Sequence, residues 1–172
     1  MRRVRYSVAM SLDGYIAGPN GEFDWIPMDP DIDFAALFRQ FDTILMGRKS
    51  YEAARSQGGG GGGMPGMQAY VFSKTLRQAD CRDATVSGDA KTTVTALKQK
   101  PGKDIWLFGG GELFKSLLDL GLVDEVELGI IPVLLGGGLP MLPSPAKSAQ
   151  LKLTSHRIYE KTGTVLLKYA VK

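Results

Sequence analysis

The sequence predicts an α/β fold of three αβα layers, with a mixed central sheet and a C-terminal β-hairpin. Three observations carry this. Short β-rich apolar runs alternate with segments of helical apolar spacing, the pattern that stacks helices on both faces of a sheet. Two of those runs lead directly into a glycine and then a helix, at Gly47 and Gly109. The last two runs are separated by Lys161-Thr162-Gly163, a hairpin turn, so they pair antiparallel and make the sheet mixed. With 172 residues and no internal linker or repeat, residues 1–172 read as a single domain.

In order along the chain, residues 3–10 alternate, with Val4, Tyr6, Val8 and Met10 sharing one face, and form the first strand. Turn signals follow at Ser11-Leu12-Asp13-Gly14 and Gly18-Pro19-Asn20-Gly21. Residues 18–32 read as a surface loop carrying Trp25, because Pro27 and Pro30 oppose helix. Phe34, Leu37, Phe38 and Phe41 keep the i, i+3, i+4, i+7 spacing of an amphipathic helix, capped by Asp31 or Asp33. Residues 43–46 form a buried strand ending at Gly47, and a helix over 49–55 starts at once. The six glycines 58–63 define no pocket shape and read as a flexible surface loop.

Residues 69–72 form a strand that ends in Ser73-Lys74, and 84–86 a short strand. Asp89 caps a helix over 90–99, which Pro101-Gly102 terminates. A strand over 104–108 runs into three glycines and a helix over 112–120, with Leu113, Phe114, Leu117 and Leu118 inward. A strand containing a proline spans 126–133 and a glycine loop 136–138. The closing strands are 151–159 and 164–171.

Composition excludes several functions. No run of about 18 apolar residues exists, so no membrane-spanning helix is expected. The first residues show no leader pattern. The single cysteine, Cys81, permits no intrachain disulfide framework, so a cytoplasmic location is expected. One cysteine and one histidine, His156, cannot supply a four-ligand zinc site, and no metal is expected. A Ser-His-Asp triad would have to rest on His156, inside a strand. The net charge of +3 comes from scattered Lys and Arg, without the basic face of a nucleic-acid binder. It suits a phosphate-bearing small molecule.

Chemistry concentrates at the two strand-glycine-helix junctions. A helix N-terminus offers unpaired N–H groups and positive partial charge, and glycines ahead of it let a phosphate approach the backbone. The first junction, Met46-Gly47-Arg48-Lys49-Ser50, adds two cations and a hydroxyl. The second is Phe108-Gly109-Gly110-Gly111-Glu112-Leu113. Neither is a P-loop, and Phe114 excludes the Rossmann fingerprint. Two anion sites on one sheet suit a dinucleotide, and Ser73-Lys74 supplies a further hydroxyl and cation. Each also has a plain structural reading: a tight turn, a packing glycine, solvated surface.

Taken together, these segments resemble the dihydrofolate reductase-like superfamily, and most closely its branch containing the reductase domain of the riboflavin-biosynthesis deaminase-reductase and its stand-alone relatives. The resemblance spans the chain. It rests on the order and spacing of Ser-Leu-Asp-Gly-Tyr-Ile-Ala (11–17), Asp-Trp-Ile (24–26), Met-Gly-Arg-Lys-Ser-Tyr-Glu (46–52), Phe-Ser-Lys (72–74), Phe-Gly-Gly-Gly-Glu-Leu (108–113), Leu-Val-Asp-Glu-Val (122–126) and Ile-Pro-Val-Leu-Leu-Gly (131–136).

The resemblance implies NADPH as cofactor. Gly47, Arg48, Lys49 and Ser50 would hold phosphates, and Ser73 and Lys74 would flank the adenosine 2′-phosphate. Phe108, Gly109, Gly110, Gly111, Glu112 and Leu113 would cover pyrophosphate and nicotinamide. It implies hydride transfer to a small pterin- or pyrimidine-like heterocycle, and a homodimer, with no nucleic-acid or membrane partner. Hydride delivery requires a proton donor or an ordered water. By the resemblance Asp13 would border the nicotinamide, and Asp33, near the start of the first helix, would stand about where folate-reducing members place their substrate carboxylate; their plain readings are an Asp-Gly turn and a helix cap. Trp25, Arg39 and Phe108 are the substrate candidates. The riboflavin-type branch commonly has an acid where this chain has Phe108, and a polar residue where it has Phe23, so a less polar pocket is expected. The alternative reading is an NADPH-binding sensor or partner module without turnover.

Overall fold

The computed structural model describes residues 1–56 and 64–172. The six-glycine run 58–63, expected as a surface loop, lies outside the described residues. In chain order the elements are β1 (Val4–Ser11), β2 (Tyr15–Ala17), α1 (Phe34–Phe38), β3 (Phe41–Gly47), α2 (Arg48–Ser56), β4 (Gln68–Phe72) and β5 (Thr85–Ser87). They continue with α3 (Ala90–Gln99), β6 (Asp104–Gly109), α4 (Gly111–Asp119), β7 (Glu125–Ile131), β8 (Leu139–Pro140), β9 (Leu151–Tyr159) and β10 (Thr164–Val171).

Eight strands form one sheet in the order β5-β4-β3-β6-β1-β7-β10-β9, and β2 pairs with β8 in a second, two-stranded sheet. From β5 to β7 the neighbours are parallel; the closing hairpin joins antiparallel. Alternation along each strand assigns its side chains to two cores. Ile105 and Leu107 of β6 face α3 and α4, whose Val94, Leu97, Leu113, Phe114 and Leu117 pack with Val4 and Tyr6. Trp106 faces the other way, with Ile44, Met46, Val71, Tyr51 of α2 and the partly buried Leu37 and Phe38 of α1.

The apolar spacing over 34–41 divides differently from the sequence expectation. Helix α1 ends at Phe38, and Phe41 opens β3, 3% exposed, with the Arg5 guanidinium 4.8 Å from its ring centre. A strand start at i+7 copies the helical spacing. Of the two candidate caps, Asp33 takes the role: its Oδ1 accepts from the Ala36 amide at 2.8 Å. Pro132 lies just past β7 rather than within it, which spares the ladder a missing donor.

The long loop between β2 and α1 is pinned to the turn of the closing hairpin. Asp29, 2% exposed, accepts from the Thr162 hydroxyl at 2.7 Å and from the Asp31 amide at 2.9 Å. Lys161 pairs with Asp31 at 2.8 Å. Burial pushes the Asp29 carboxyl up, but the Asp31 amide, Thr162 and the Lys161 charge outweigh it and hold the group below the usual carboxylate range.

Candidate functional site

Parallel strands end on a common edge, and register brings the anion-binding segments together there. Gly47 lies opposite Phe72, so Ser73 and Lys74 emerge beside it. On the other side Met46 lies opposite Gly109. The segments after β4, β3 and β6 therefore stand side by side, across about 10 Å at two strand spacings. The residue after Phe72 has a local task as well: Ser73 Oγ accepts from the Thr75 and Leu76 amides at 3.1 and 2.9 Å. Lys74 is exposed.

The three glycines at the second junction differ in what the protein asks of them. Gly109 has φ +144°, a conformation that favours glycine. A Cβ on Gly111 would lie 2.6 Å from the Pro140 carbonyl oxygen and 2.9 Å from that of Met141, so the 140–143 segment requires glycine there. A Cβ on Gly110 would meet only Ser50 Oγ, at 3.5 Å. Nothing in the packing demands a glycine at 110, and the space lies in front of a helix N-terminus. That helix, α4, begins after Gly110 without a side-chain cap, whereas Asp33 and Asp89 cap α1 and α3. Open amides, a side-chain-free approach and the Ser50 hydroxyl fit the phosphates of a dinucleotide.

Arg48 and Lys49 are exposed on the first turn of α2. Arg48 pairs with Glu52 at 3.0 Å, both side chains exposed. Such a pair contributes only about 0.3–0.5 kcal/mol, so a phosphate competes easily for the guanidinium. Glu112 lies exposed in the first turn of α4, while Leu113 is buried in the core. Phe108 is 38% exposed on the α1 side of β6 and stands edge-on to Trp106, with ring centres 5.2 Å apart. Phe38 contacts Trp106 from the other side at 5.3 Å, so an aromatic wall connects α1 to this edge.

Asp13 follows β1, the neighbour of β6. Its carboxylate accepts from Ser11 Oγ at 2.7 Å and from the amides of Leu135 and Gly136 at 3.1 and 2.8 Å. The Ser11 hydroxyl first, then the two amides, hold it below the usual carboxylate range. It is thus an ionised anchor joining the loops after β1 and β7. Asp33 and Arg39 mark the two ends of α1, both exposed. Trp25 is half-buried in the preceding loop, its indole N–H donating to the Glu22 carbonyl at 3.0 Å. The structure gathers the cofactor candidates and Asp13 on one edge, and leaves Asp33, Arg39 and Trp25 on α1 and its approach.

Sequence reasoning missed a charged network on the α1 side of the sheet. Arg5, 2% exposed, donates to Glu127 Oε2 at 3.0 Å and to Gln40 at 2.7 Å, and pairs with Glu125 at 2.8 Å. Glu127, also 2% exposed, meets Lys168 at 2.6 Å and accepts from the Ser7 hydroxyl at 3.3 Å. The signal was available as Arg5 and Glu127 standing inside otherwise apolar strands. No described helix is long and apolar enough to cross a membrane.

Comparison with known proteins bears on the family and the fold. The model of the RibD C-terminal domain family matches residues 2–166. The Bacillus subtilis protein YyaP is 38% identical, over 98% of this chain and 94% of its own. A putative riboflavin biosynthesis protein from Shewanella sp. PV-4 superposes with a TM-score of 0.82 at 25% identity, covering 100% of this chain and 99% of its own. Dihydrofolate reductase from Enterococcus faecalis, solved in complex with NADP(H), shares the fold with a TM-score of 0.72 at 15% identity, over 99% and 96% of the two chains. A mixed eight-stranded sheet flanked by helices, glycine-led helices on one edge, and a family match along nearly the whole chain lead to one assignment: the chain belongs to the RibD C-terminal domain family, within the dihydrofolate reductase-like fold.

Proposed function

We propose that the protein is a cytoplasmic, NADPH-dependent reductase of a small pterin- or pyrimidine-like heterocycle, of the kind used in riboflavin or folate chemistry. The observation that carries the reading is the uncapped N-terminus of α4 behind Gly110, set beside Ser50 and one strand from Arg48. Gly109, Gly110 and Gly111 with Ser50 would hold the pyrophosphate; Arg48, Lys49, Ser73 and Lys74 would hold the adenosine phosphate. When bound, the cofactor supplies hydride. Phe108 and the aromatic wall behind it exclude water from one side of the reacting ring, and Asp13 fixes the loops that border it.

Titration with NADPH and NADH, followed by quenching of Trp25 and Trp106, tests this. NADPH is expected to bind about tenfold tighter than NADH, and Arg48→Ala to remove that margin, because a charge-assisted contact contributes roughly 1.5–3 kcal/mol. Absence of binding by either nucleotide sinks the reading.

A specific observation favours the second reading, a binding module without turnover. Asp13 accepts from three donors that hold it below the usual carboxylate range, which disfavours it as a proton donor. Asp33 lies exposed on α1 with Oδ1 engaged as the helix cap, away from the edge that gathers the cofactor candidates. NADPH binding with no loss of its 340 nm absorbance across a panel of pterins and pyrimidines would establish that reading in place of the reductase.

The homodimer belongs to the same proposal. Strand β9 is the sheet's outer edge, and Leu153 and Ile158 stand 49% and 61% exposed on the face they share with Val165 and Tyr169. An unpaired edge strand with exposed Leu151, Leu153 and Ile158 among its polar residues is a candidate contact surface. Sedimentation velocity is expected to show a dimer that Ile158→Glu converts to monomer; a monomeric parent protein rules it out.

A further inference from the structure

We infer that Lys168 is a specificity-determining residue that receives an oxyanion carried by the substrate's heterocycle. The inference rests on the reductase reading for where the reacting ring lies, but its geometry is independent of the cofactor. On the α1 side of the sheet, α1 and α2 pack over β3, β4 and β6. The continuation of that face over β1, β7 and β10 carries two cross-strand rows. One is Ser7, Glu127, Lys168 and Ser155; the next is Ala9, Gly129, Leu166 and Arg157.

The second row begins with side chains of minimal size. Gly129 lies inside β7, where glycine weakens a strand, and no positive φ calls for it. A Cβ there would meet Ala9 Cα and Thr164 Cγ2, both at an ordinary 4.0 Å, so packing does not call for it either. A strand glycine demanded by neither conformation nor packing marks a surface that another group approaches closely. Ala9 and Gly129 together form a strip that carries a single methyl group, one strand over from the edge that begins at Gly109, and a planar ring could lie flat against it.

The first row supplies what the ring's substituent would meet. Glu127 is buried and already shared by Arg5 and Ser7, which fixes its carboxylate. That carboxylate draws Lys168 Nζ to 2.6 Å, over β7 and next to the strip, while 27% of the Lys168 side chain remains exposed. The ammonium is therefore held in place with donors to spare. Arg157 lies on the same face over the Tyr159 ring, and among the described residues neither it nor Lys152 has an ion-pair partner. The hairpin side of the strip is net positive. A flat heterocycle on Ala9–Gly129 would thus point a carboxylate or a phosphate ester at Lys168.

The test compares uracil, orotate and uridine 5′-monophosphate by calorimetry on the full chain, with and without NADPH. At least one oxyanion probe is expected to bind about tenfold tighter than uracil, the range of a charge-assisted contact. Orotate alone gaining identifies a carboxylate, the nucleotide alone a phosphate ester. The margin should vanish in Lys168→Met and persist in Lys168→Arg. Gly129→Val should weaken all three probes. Thermal melting curves of each variant report folding separately. Equal affinity for uracil and both oxyanions, a margin that survives Lys168→Met, or no binding of any probe overturns the inference. A margin that appears as expected in a protein that binds no NADPH overturns the reductase reading and leaves this one standing.

Discussion

Replacing Glu127 by alanine is expected to lower stability by about 3 kcal/mol, the low end of the cost of breaking a buried ion pair. The carboxylate is 2% exposed and joins three strands: β1 through Arg5 and Ser7, β7 itself, and β10 through Lys168. Its removal leaves the Arg5 guanidinium buried with Glu125 at 2.8 Å and Asp104 at 3.5 Å as carboxylate partners, which keeps the loss from the top of the range. Lys168 can swing to water, so its share is small. Urea unfolding of the parent and variant at neutral pH measures the difference. A loss below about 1 kcal/mol, the scale of an exposed pair, would show that water reaches this network.

Gly111→Ala and Gly110→Ala are expected to fail in opposite ways. At 111 the new methyl would meet the Pro140 and Met141 carbonyl oxygens and Pro143 Cδ, all within 2.9 Å. Those are backbone atoms and a proline ring, which cannot swing aside, so a loss of about 1–3 kcal/mol follows from overpacking. At 110 the methyl would meet only a serine hydroxyl at 3.5 Å, so thermal stability should hold while NADPH affinity falls. Melting curves and nucleotide titrations of the two variants separate the cases. Equal destabilisation by both substitutions would mean that the triplet is a packing device throughout.

The contrast within that triplet shows how far sequence reading reaches. Three glycines ahead of a helix are legible as an anion site, but one of them answers to a segment some thirty positions away, and no local pattern announces that contact. The fold class was legible, because period-2 and period-3.6 runs alternate cleanly from β3 to α4, whereas the strand order was not. The α1 region was less so. Phe41 fits a helical stripe by spacing alone, and its pairing with Asp104 of β6 makes it the start of β3. The short β2–β8 pair escaped notice because three and two residues are too few to show a period. At the site, the phosphate-binding segments announce themselves through glycine and charge. The Ser7–Glu127–Lys168 row is assembled from three neighbouring strands that lie far apart in the chain, so Glu127 inside an apolar run signals a buried charge but not which side chains meet it.

The place of β1 between β6 and β7 bears on how the protein comes off the ribosome. Val4 is made well before Ile105, with which it pairs, and Met10 well before its partner Ile130. The strands β3, β4 and β5 lie in sequence order and can associate among themselves much earlier. At about 5–20 residues per second, β1 waits roughly 5–20 s for its neighbours to be synthesised. Throughout that interval Val4, Tyr6 and Val8 are a nascent β-segment without a partner. A strand that must wait for β6 and β7 before it can pair makes this chain a client for whatever shields nascent apolar strands, and makes rapid overproduction its most vulnerable moment.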